Sequence, residues 1–400
     1  MYNNGAGSNI LTVRENNLSL IIRLMHRAKI CTRAQLAEAT GLKQATITYI
    51  INDMMDWGLV AETGAARGKL NRRSMGIQLK NEYYRILGIR LSRRYIGLGL
   101  FDIAGENLVS REITSEDRLT PDQAFNIIRK ESEALLSAQP GIKLLGVGAA
   151  IPGPLNMSTG QIEMISDMPG WEKINFANEL KKIFDAPVFV DQDANCGVLG
   201  EYWYGDVSGH KDILYVAAGH GVGAGIIIDG NLYSGALGTS GEIGHMSIDY
   251  GGEVCACGNR GCLELYCSTQ KLRRDYKHEV MCGAPGILDL DADAIVRAAA
   301  EGDETAVKAF KPLAVFLGLG LVNVINILNP SLLILSDRMS AAGQLLLATV
   351  SDTLKKYLLP SIYENLTIRL GTEVENIILC GVNALVMENL LVSPTAYFKR

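Results

Sequence analysis

Three thiols within eight residues are the strongest chemical signal in this chain. Cys255-Ala256-Cys257-Gly258-Asn259-Arg260-Gly261-Cys262 sets them around two glycines that permit a tight loop, and His245 lies ten residues upstream. Three cysteines and one histidine form a closed tetrahedral set for Zn²⁺. With no coordination position left open, the expected metal is structural rather than catalytic. The bland alternative is a chance cluster of free thiols, but buried structural cysteines rarely group around glycines in this way. Cys31, Cys196, Cys267, Cys282 and Cys380 are scattered and read as small core residues. Eight cysteines in 400 residues do not make a disulfide scaffold. In a reducing compartment, a cluster of them points to metal.

A second set of residues suits nucleic acid. Ile47, Ile50, Ile51, Met54 and Met55 recur at helical spacing from about Lys43 to Trp57, and Gln44, Ala45, Thr46, Thr48 and Tyr49 fall on the opposite face. Glutamine can read adenine, and threonine or alanine methyls can meet a thymine methyl. Lys43 and Tyr49 suit phosphates, as do Arg67, Lys69, Arg72 and Arg73. A cation at a helix N-terminus is mildly unfavourable, which favours a phosphate partner for Lys43. Any one of these residues alone would read as solvated surface. The elements around them supply the context.

Leu18, Ile21, Ile22, Leu24 and Met25 make an apolar stripe over residues 16–27. Thr32 and Gln35 form a capping box ahead of a second helix that stops at Gly41. Gly58 suits the C-cap of the third helix. The Gly- and Arg-rich residues 61–76 then lead into alternating Ile77 and Leu79, as a β-hairpin wing would. Three helices and a wing predict a winged helix-turn-helix, a mainly α DNA-binding domain over residues 1–82. Charge agrees: residues 1–82 hold 11 basic and 6 acidic side chains, whereas the remainder holds 27 basic and 37 acidic. The length suggests two or three folding units. No uninterrupted apolar run of membrane-spanning length is evident, and the N-terminus lacks a signal pattern, so a cytoplasmic protein with no membrane partner is expected.

The body predicts an α/β fold. Strands are expected at 86–91, 96–101, 144–151, 188–190, 213–217, 225–228 and 332–335, with helices over 121–139, 306–328 and 381–391. Gly219-His220-Gly221-Val222-Gly223-Ala224-Gly225 lies between two of these strands.

Here the chain resembles a known family. Gly241-Glu242-Ile243-Gly244-His245, followed by the cysteine run ending at Glu264, is similar to the signature of the ROK family of repressors, open reading frames and kinases. The resemblance extends over nearly the whole chain and includes the helix-turn-helix of the repressor branch. It implies an actin-like (ribonuclease H-like) two-lobed sugar-kinase fold, with lobes at roughly 83–195 plus the C-terminal helix and at 196–375. A sugar is implied between the lobes. Asp193 matches the family's catalytic base, and Glu242, His245 and Glu264 match residues that bond sugar hydroxyls. Carboxylates accept from vicinal hydroxyls, and a metal-bound imidazole keeps one oriented nitrogen free. Gln192 and Asp167 stand where the family often has asparagine, both at positions that tend to touch sugar.

Kinase and repressor branches part at the phosphate loops. Where kinases of the family carry Asp-x-Gly-Gly-Thr, this chain has Gly88-Ile89-Arg90-Leu91-Ser92-Arg93-Arg94. Where they carry a Gly-Gly pair, it has Ser336-Asp337-Arg338. A sugar-responsive regulator is therefore expected, with no catalysis, bound to operator DNA as a dimer or tetramer. The alternatives are an ATP-dependent sugar kinase with a DNA-binding head, and a DNA-binding protein whose body docks another protein.

Overall fold

The structure is a computed structural model that describes residues 10–67, 73–80, 82–157, 159–163, 168–207, 209–372 and 376–398. The expectations for Lys69, Arg72 and Asp167 lie outside the described residues, and Arg67 and Arg73 are described in their backbone only.

The N-terminal region folds as its local signals require. The Thr32 hydroxyl accepts from the Gln35 amide at 3.2 Å, and the Gln35 side chain accepts from the Thr32 amide at 2.8 Å. This capping box opens the helix Arg33–Thr40, and Gly41, left-handed at φ 70°, ends it. The third helix, Gln44–Asp56, buries Ile47, Ile50, Ile51 and Met54. Strands Val60–Arg67 and Arg73–Leu79 pair antiparallel as the wing, and the short strand Ile30–Cys31 adds to Arg73–Leu79. The first helix is longer than its apolar stripe suggests, running Ile10–Ala28.

The chain packs as two units. The first contains residues up to Ile151, Phe176–Asp191 and Val382–Arg400; the second contains Pro152–Asn175 and Gln192–Gly381. Among the described residues, the larger sheet of the first unit has five strands. Tyr84–Leu91, Tyr95–Phe101 and Asn107–Thr114 form an antiparallel meander, Lys143–Ile151 runs parallel beside Tyr84–Leu91, and Val188–Gln192 lies beyond it. The second unit repeats the plan. Ile213–Ala218, Val222–Ile228 and Asn231–Leu232 form the meander, followed outward by the parallel strands Leu332–Ser336 and Thr367–Leu370. This repeated strand order is the actin-like architecture.

Helices Thr269–Met281, Ala292–Glu301 and Gln344–Tyr357 and the strand Thr367–Leu370 add to the elements expected from the sequence. The helix Glu304–Leu328 is long and apolar enough, by length and composition alone, to cross a membrane. It buries Phe310, Leu313, Leu317, Leu321 and Ile325 in the core of the second unit, which accounts for its apolar character without a bilayer.

The N-terminal region packs on the rest of the first unit through its first helix. Arg23 pairs with Glu388, Glu15 accepts from the Thr395 amide at 3.2 Å, and Lys29 donates to the Ala104 carbonyl at 3.0 Å. Glu388 lies in the helix Ile377–Leu390, and Thr395 in a final helix, Pro394–Phe398. From Val382 onward, the helix Ile377–Leu390 packs on the Lys143–Ile151 strand, where Cβ atoms at Gly146 and Gly148 would collide with Val386 and Val382.

His26 is buried in the first helix. Burial, reinforced by the nearby Lys29 charge, pushes its imidazole down to about 3. The folded protein thus keeps His26 neutral at a pH where an unfolded chain, titrating near 6.5, is protonated. Between those values unfolding takes up a proton, so stability falls as pH falls. On lowering the pH from 7.5 to 5.5, hydrogen exchange in Ile10–Ala28 should report a loss of roughly 1.4 kcal/mol of local stability from this group. His26→Leu should flatten that dependence; an unchanged slope would show that the histidine does not set it.

Candidate functional site

The thiol and imidazole atoms of His245, Cys255, Cys257 and Cys262 all lie within 4.8 Å of one another. Backbone geometry brings them there. Gly241, at φ 87°, and Gly244 let the Glu242–His245 turn lie directly on the strand Val222–Ile228; a Cβ at either would strike the carbonyl of Ala224 or Val222. The cysteine loop folds back by Leu263 N to Met246 O at 2.9 Å and Ile248 N to Gly261 O at 2.9 Å, and the Asn259 amide donates to the His245 carbonyl at 2.9 Å. Gly261 cannot be replaced without meeting the Asp249 carbonyl.

The distances fit a tetrahedral metal. Zinc bound at ~2.3 Å by sulfur and ~2.0 Å by nitrogen sets two sulfurs about 3.8 Å apart, and sulfur and nitrogen about 3.5 Å apart. Cys257 and Cys262 Sγ stand 3.7 Å apart, and Cys255 Sγ is 3.7 Å from His245 Nδ1. Burial pushes the Cys255 and Cys262 thiols up. A bound cation reverses that preference by stabilising the thiolates, so metal binding here would release protons.

His245 thus turns Nδ1 to the thiols and leaves Nε2 for other work, 4.0 Å from Glu242 Oε2. Glu264, opening the short helix Glu264–Cys267, places Oε1 3.5 Å from His245 Nδ1 and 3.3 Å from Cys255 Sγ. Gln192 and Asp193 arrive from the strand Val188–Gln192 and the helix Asp193–Tyr204. Asp193, Glu264 and Glu163 are close enough to Glu242 to repel its charge, while the neighbouring Gln192 favours the charged form. Burial first, then these neighbours, pushes Glu242 up to about 7. It therefore divides between a donor-capable acid and an acceptor near neutral pH, matching hydroxyls that both give and take hydrogen bonds. Glu163 is the member that the sequence did not single out. Its neighbours in sequence carry no recognisable motif, and only the fold brings it to Glu242. All these residues belong to the second unit.

On the third helix of the N-terminal region, Lys43, Gln44, Ala45, Thr48 and Tyr49 are exposed and Thr46 is half-buried. Lys43 holds the N-cap position without a side-chain cap. The Thr48 hydroxyl donates to the Gln44 carbonyl at 2.9 Å, and the Arg14 guanidinium stacks over the Tyr49 ring at 5.9 Å. The wing register sets Arg67 opposite Arg73.

Residues 86–389 match the ROK family model. The chain belongs to the ROK family. It is 28% identical over 393 residues to a xylose repressor of Caldicellulosiruptor bescii, covering 96% of this chain and 98% of that one. It is 25% identical over 387 residues to the DNA-binding transcriptional dual regulator NagC of Escherichia coli, covering 96% and 95%. Among solved structures, a ROK family transcriptional regulator homologous to the E. coli MLC protein superposes with a TM-score of 0.80 at 26% identity over 96% of this chain and 98% of that chain. A ROK glucokinase from Streptomyces griseus, in complex with glucose and AMPPNP, superposes with a TM-score of 0.66 at 25% identity, covering 74% of this chain and 97% of its own. The regulators therefore match the chain from head to tail, whereas the glucokinase matches without about a quarter of it.

Elemental analysis of the purified ROK protein should find about one metal ion per chain. Cys257→Ala, which removes an exposed thiol from the cluster, should lower that to near zero. Retention of one equivalent by the variant would show that the metal is held elsewhere.

Proposed function

We propose that this protein is a sugar-responsive transcriptional repressor of carbohydrate-metabolism genes, acting in the cytoplasm. Residues 1–82 form its winged helix-turn-helix DNA-binding domain and residues 83–400 its sugar-binding domain. The observation that carries this is the pairing of two features in one chain: end-to-end likeness to ROK regulators, and a polar site in which carboxylates gather about Glu242 and the His245 ring. Asp193, Glu242, Glu264, His245, Gln192 and Asp167 hold the sugar. Lys43, Gln44, Ala45, Thr46, Thr48 and Tyr49 meet operator DNA in the major groove, while Arg67, Lys69, Arg72 and Arg73 meet its phosphates. One winged helix-turn-helix reads only a short half-site, so the operator is bound by a homo-oligomer, a dimer or a tetramer.

The metal is zinc, and its role is structural. His245, Cys255, Cys257 and Cys262 fill all four of its positions, and it fixes the imidazole that faces the sugar. The protein does not transfer phosphoryl groups. Arg90, at the place of the kinases' acidic phosphate-loop residue, stacks over Tyr95 at 5.4 Å within its own hairpin. Asp193 then serves as a hydroxyl acceptor rather than a base.

Screening xylose, glucose and N-acetylglucosamine for release of the protein from genomic DNA fragments tests the proposal. One aldose should lower operator affinity by about 5–150-fold, the usual range of allosteric coupling. The double change Glu242→Gln and Glu264→Gln should abolish that response while leaving operator binding intact. Removal of residues 1–82 should do the opposite. ATP-dependent phosphorylation of the same aldose at ~10 s⁻¹, a typical enzyme turnover, would contradict the assignment.

A further inference from the structure

Asp337 holds a strained backbone next to a glycine-rich turn. Its φ of 66° and ψ of −165° fall in a region that is essentially reserved for glycine. A non-glycine residue persists there only where its surroundings over-determine it, and such residues cluster at functional positions.

The surroundings are explicit. Strands Ile213–Ala218 and Leu332–Ser336 run parallel, with Ala217 beside Ser336. The next residues out of the sheet are therefore Gly219, which begins the turn of the Ile213–Ile228 hairpin, and Asp337. Asp337 starts the 3-10 turn Arg338–Ala342, and its carbonyl accepts from Ser340 N at 2.9 Å and Ser340 Oγ at 2.6 Å. Its carboxylate lies directly on Gly219, where a Cβ would collide with Oδ2. Among the described residues no protein donor bonds that carboxylate. The neighbouring Arg338 turns instead to Asp293, at 2.9 Å. At the other end of the same turn, a Cβ at Gly221 would stand 3.0 Å from Glu264 Oε2.

Glycine turns at strand ends let backbone amides close on phosphate, and they do so only while the approach is open to an anion. Here that approach carries carboxylates at both ends. The glycines of this turn are kept for another reason: Gly219 makes room for Asp337, and Gly225 lets the hairpin pack on the Ala194 carbonyl and Val198.

We propose that Asp337 is a specificity-determining residue that seals the glycine turn Gly219–Gly221 against phosphate-bearing ligands, so that the site takes an uncharged sugar and no nucleoside triphosphate. The choice of sugar as occupant rests on the function proposed above; the exclusion of phosphate rests on the carboxylates at this turn, of which Asp337 lies on Gly219 itself. A single substitution at Asp337 therefore opens that end of the turn.

The test compares full-length wild type, Asp337→Gly and Asp337→Asn, all with metal content verified, in calorimetric titrations with Mg²⁺-AMPPNP and with the inducing aldose. Asp337→Gly removes both charge and strain, and Asp337→Asn removes the charge alone. Both should bind AMPPNP at least about ten-fold more tightly than wild type, the order of effect of removing a like charge a few ångströms away. Asp337→Gly should also melt at a higher temperature than wild type, and Asp337→Asn should not. Aldose affinity should be the same in all three. Equal AMPPNP affinities in the three folded proteins would overturn the proposal, as would tight AMPPNP binding by the wild type. If no aldose binds any of them, the sugar assignment fails, and the AMPPNP comparison still decides the role of Asp337.

Discussion

An imidazole has two nitrogens, and in this protein they face different chemistry. Nδ1 of His245 lies 3.7 Å from Cys255 Sγ, within the thiol cluster, while Nε2 is turned toward the Glu242 carboxylate. The orientation of that one ring ties the metal loop to the polar site. A metal on Nδ1 fixes both the tautomer and the plane of the ring, so Nε2 carries a proton in a defined direction. Glu264 repeats the arrangement, with one oxygen toward the cluster and the other toward the Gly221 turn. The glycines at 241, 244 and 261 follow from the same demand. Each allows a backbone approach without which His245 and the thiols would not meet.

A kinase and a regulator can share such a scaffold because function resides in sites rather than in folds. The second unit brings Asp193, Glu264 and Glu163 close to the Glu242 carboxylate. In the first unit Arg90 stacks on Tyr95, and in the second Asp337 rests on Gly219. What the regulator gains is the N-terminal region. Its first helix is bound to the first unit through Arg23 with Glu388 and through Glu15 with Thr395. The chain passes between the units at four places, two of them close to residues named above. Asp193 follows the crossing at Asp191–Gln192 by one residue, and the helix Ile377–Leu390 passes from the second unit to the first at Val382 before it reaches Glu388.

Local signals were legible in the sequence and distant ones were not. The Thr32–Gln35 capping box, the apolar stripe of Gln44–Asp56 and the strands about the Gly219 turn depend on neighbours within a few residues, and they appear where pattern places them. The four-residue cluster was also legible, because its members lie within 18 positions of one another. The contacts Arg23–Glu388 and Glu15–Thr395 join residues 365 and 380 positions apart, and no periodicity records such pairings. Glu163 was missed for the same reason. The repeat of the two sheets was invisible because strand order is preserved while side chains are not. The helix Glu304–Leu328 shows the opposite hazard: its apolar composition suits a bilayer and a buried core equally, and only its packing separates them.

The proposed function requires that one chain couple the sugar site to operator DNA. Linkage makes that coupling reciprocal, so operator must change sugar affinity by the same factor by which sugar changes operator affinity. The measurement is a calorimetric titration of the inducing aldose into the full-length protein, with and without saturating operator duplex. Operator should weaken sugar affinity by the factor measured for DNA release. Identical sugar affinities in the two titrations would contradict it, even if both ligands bind.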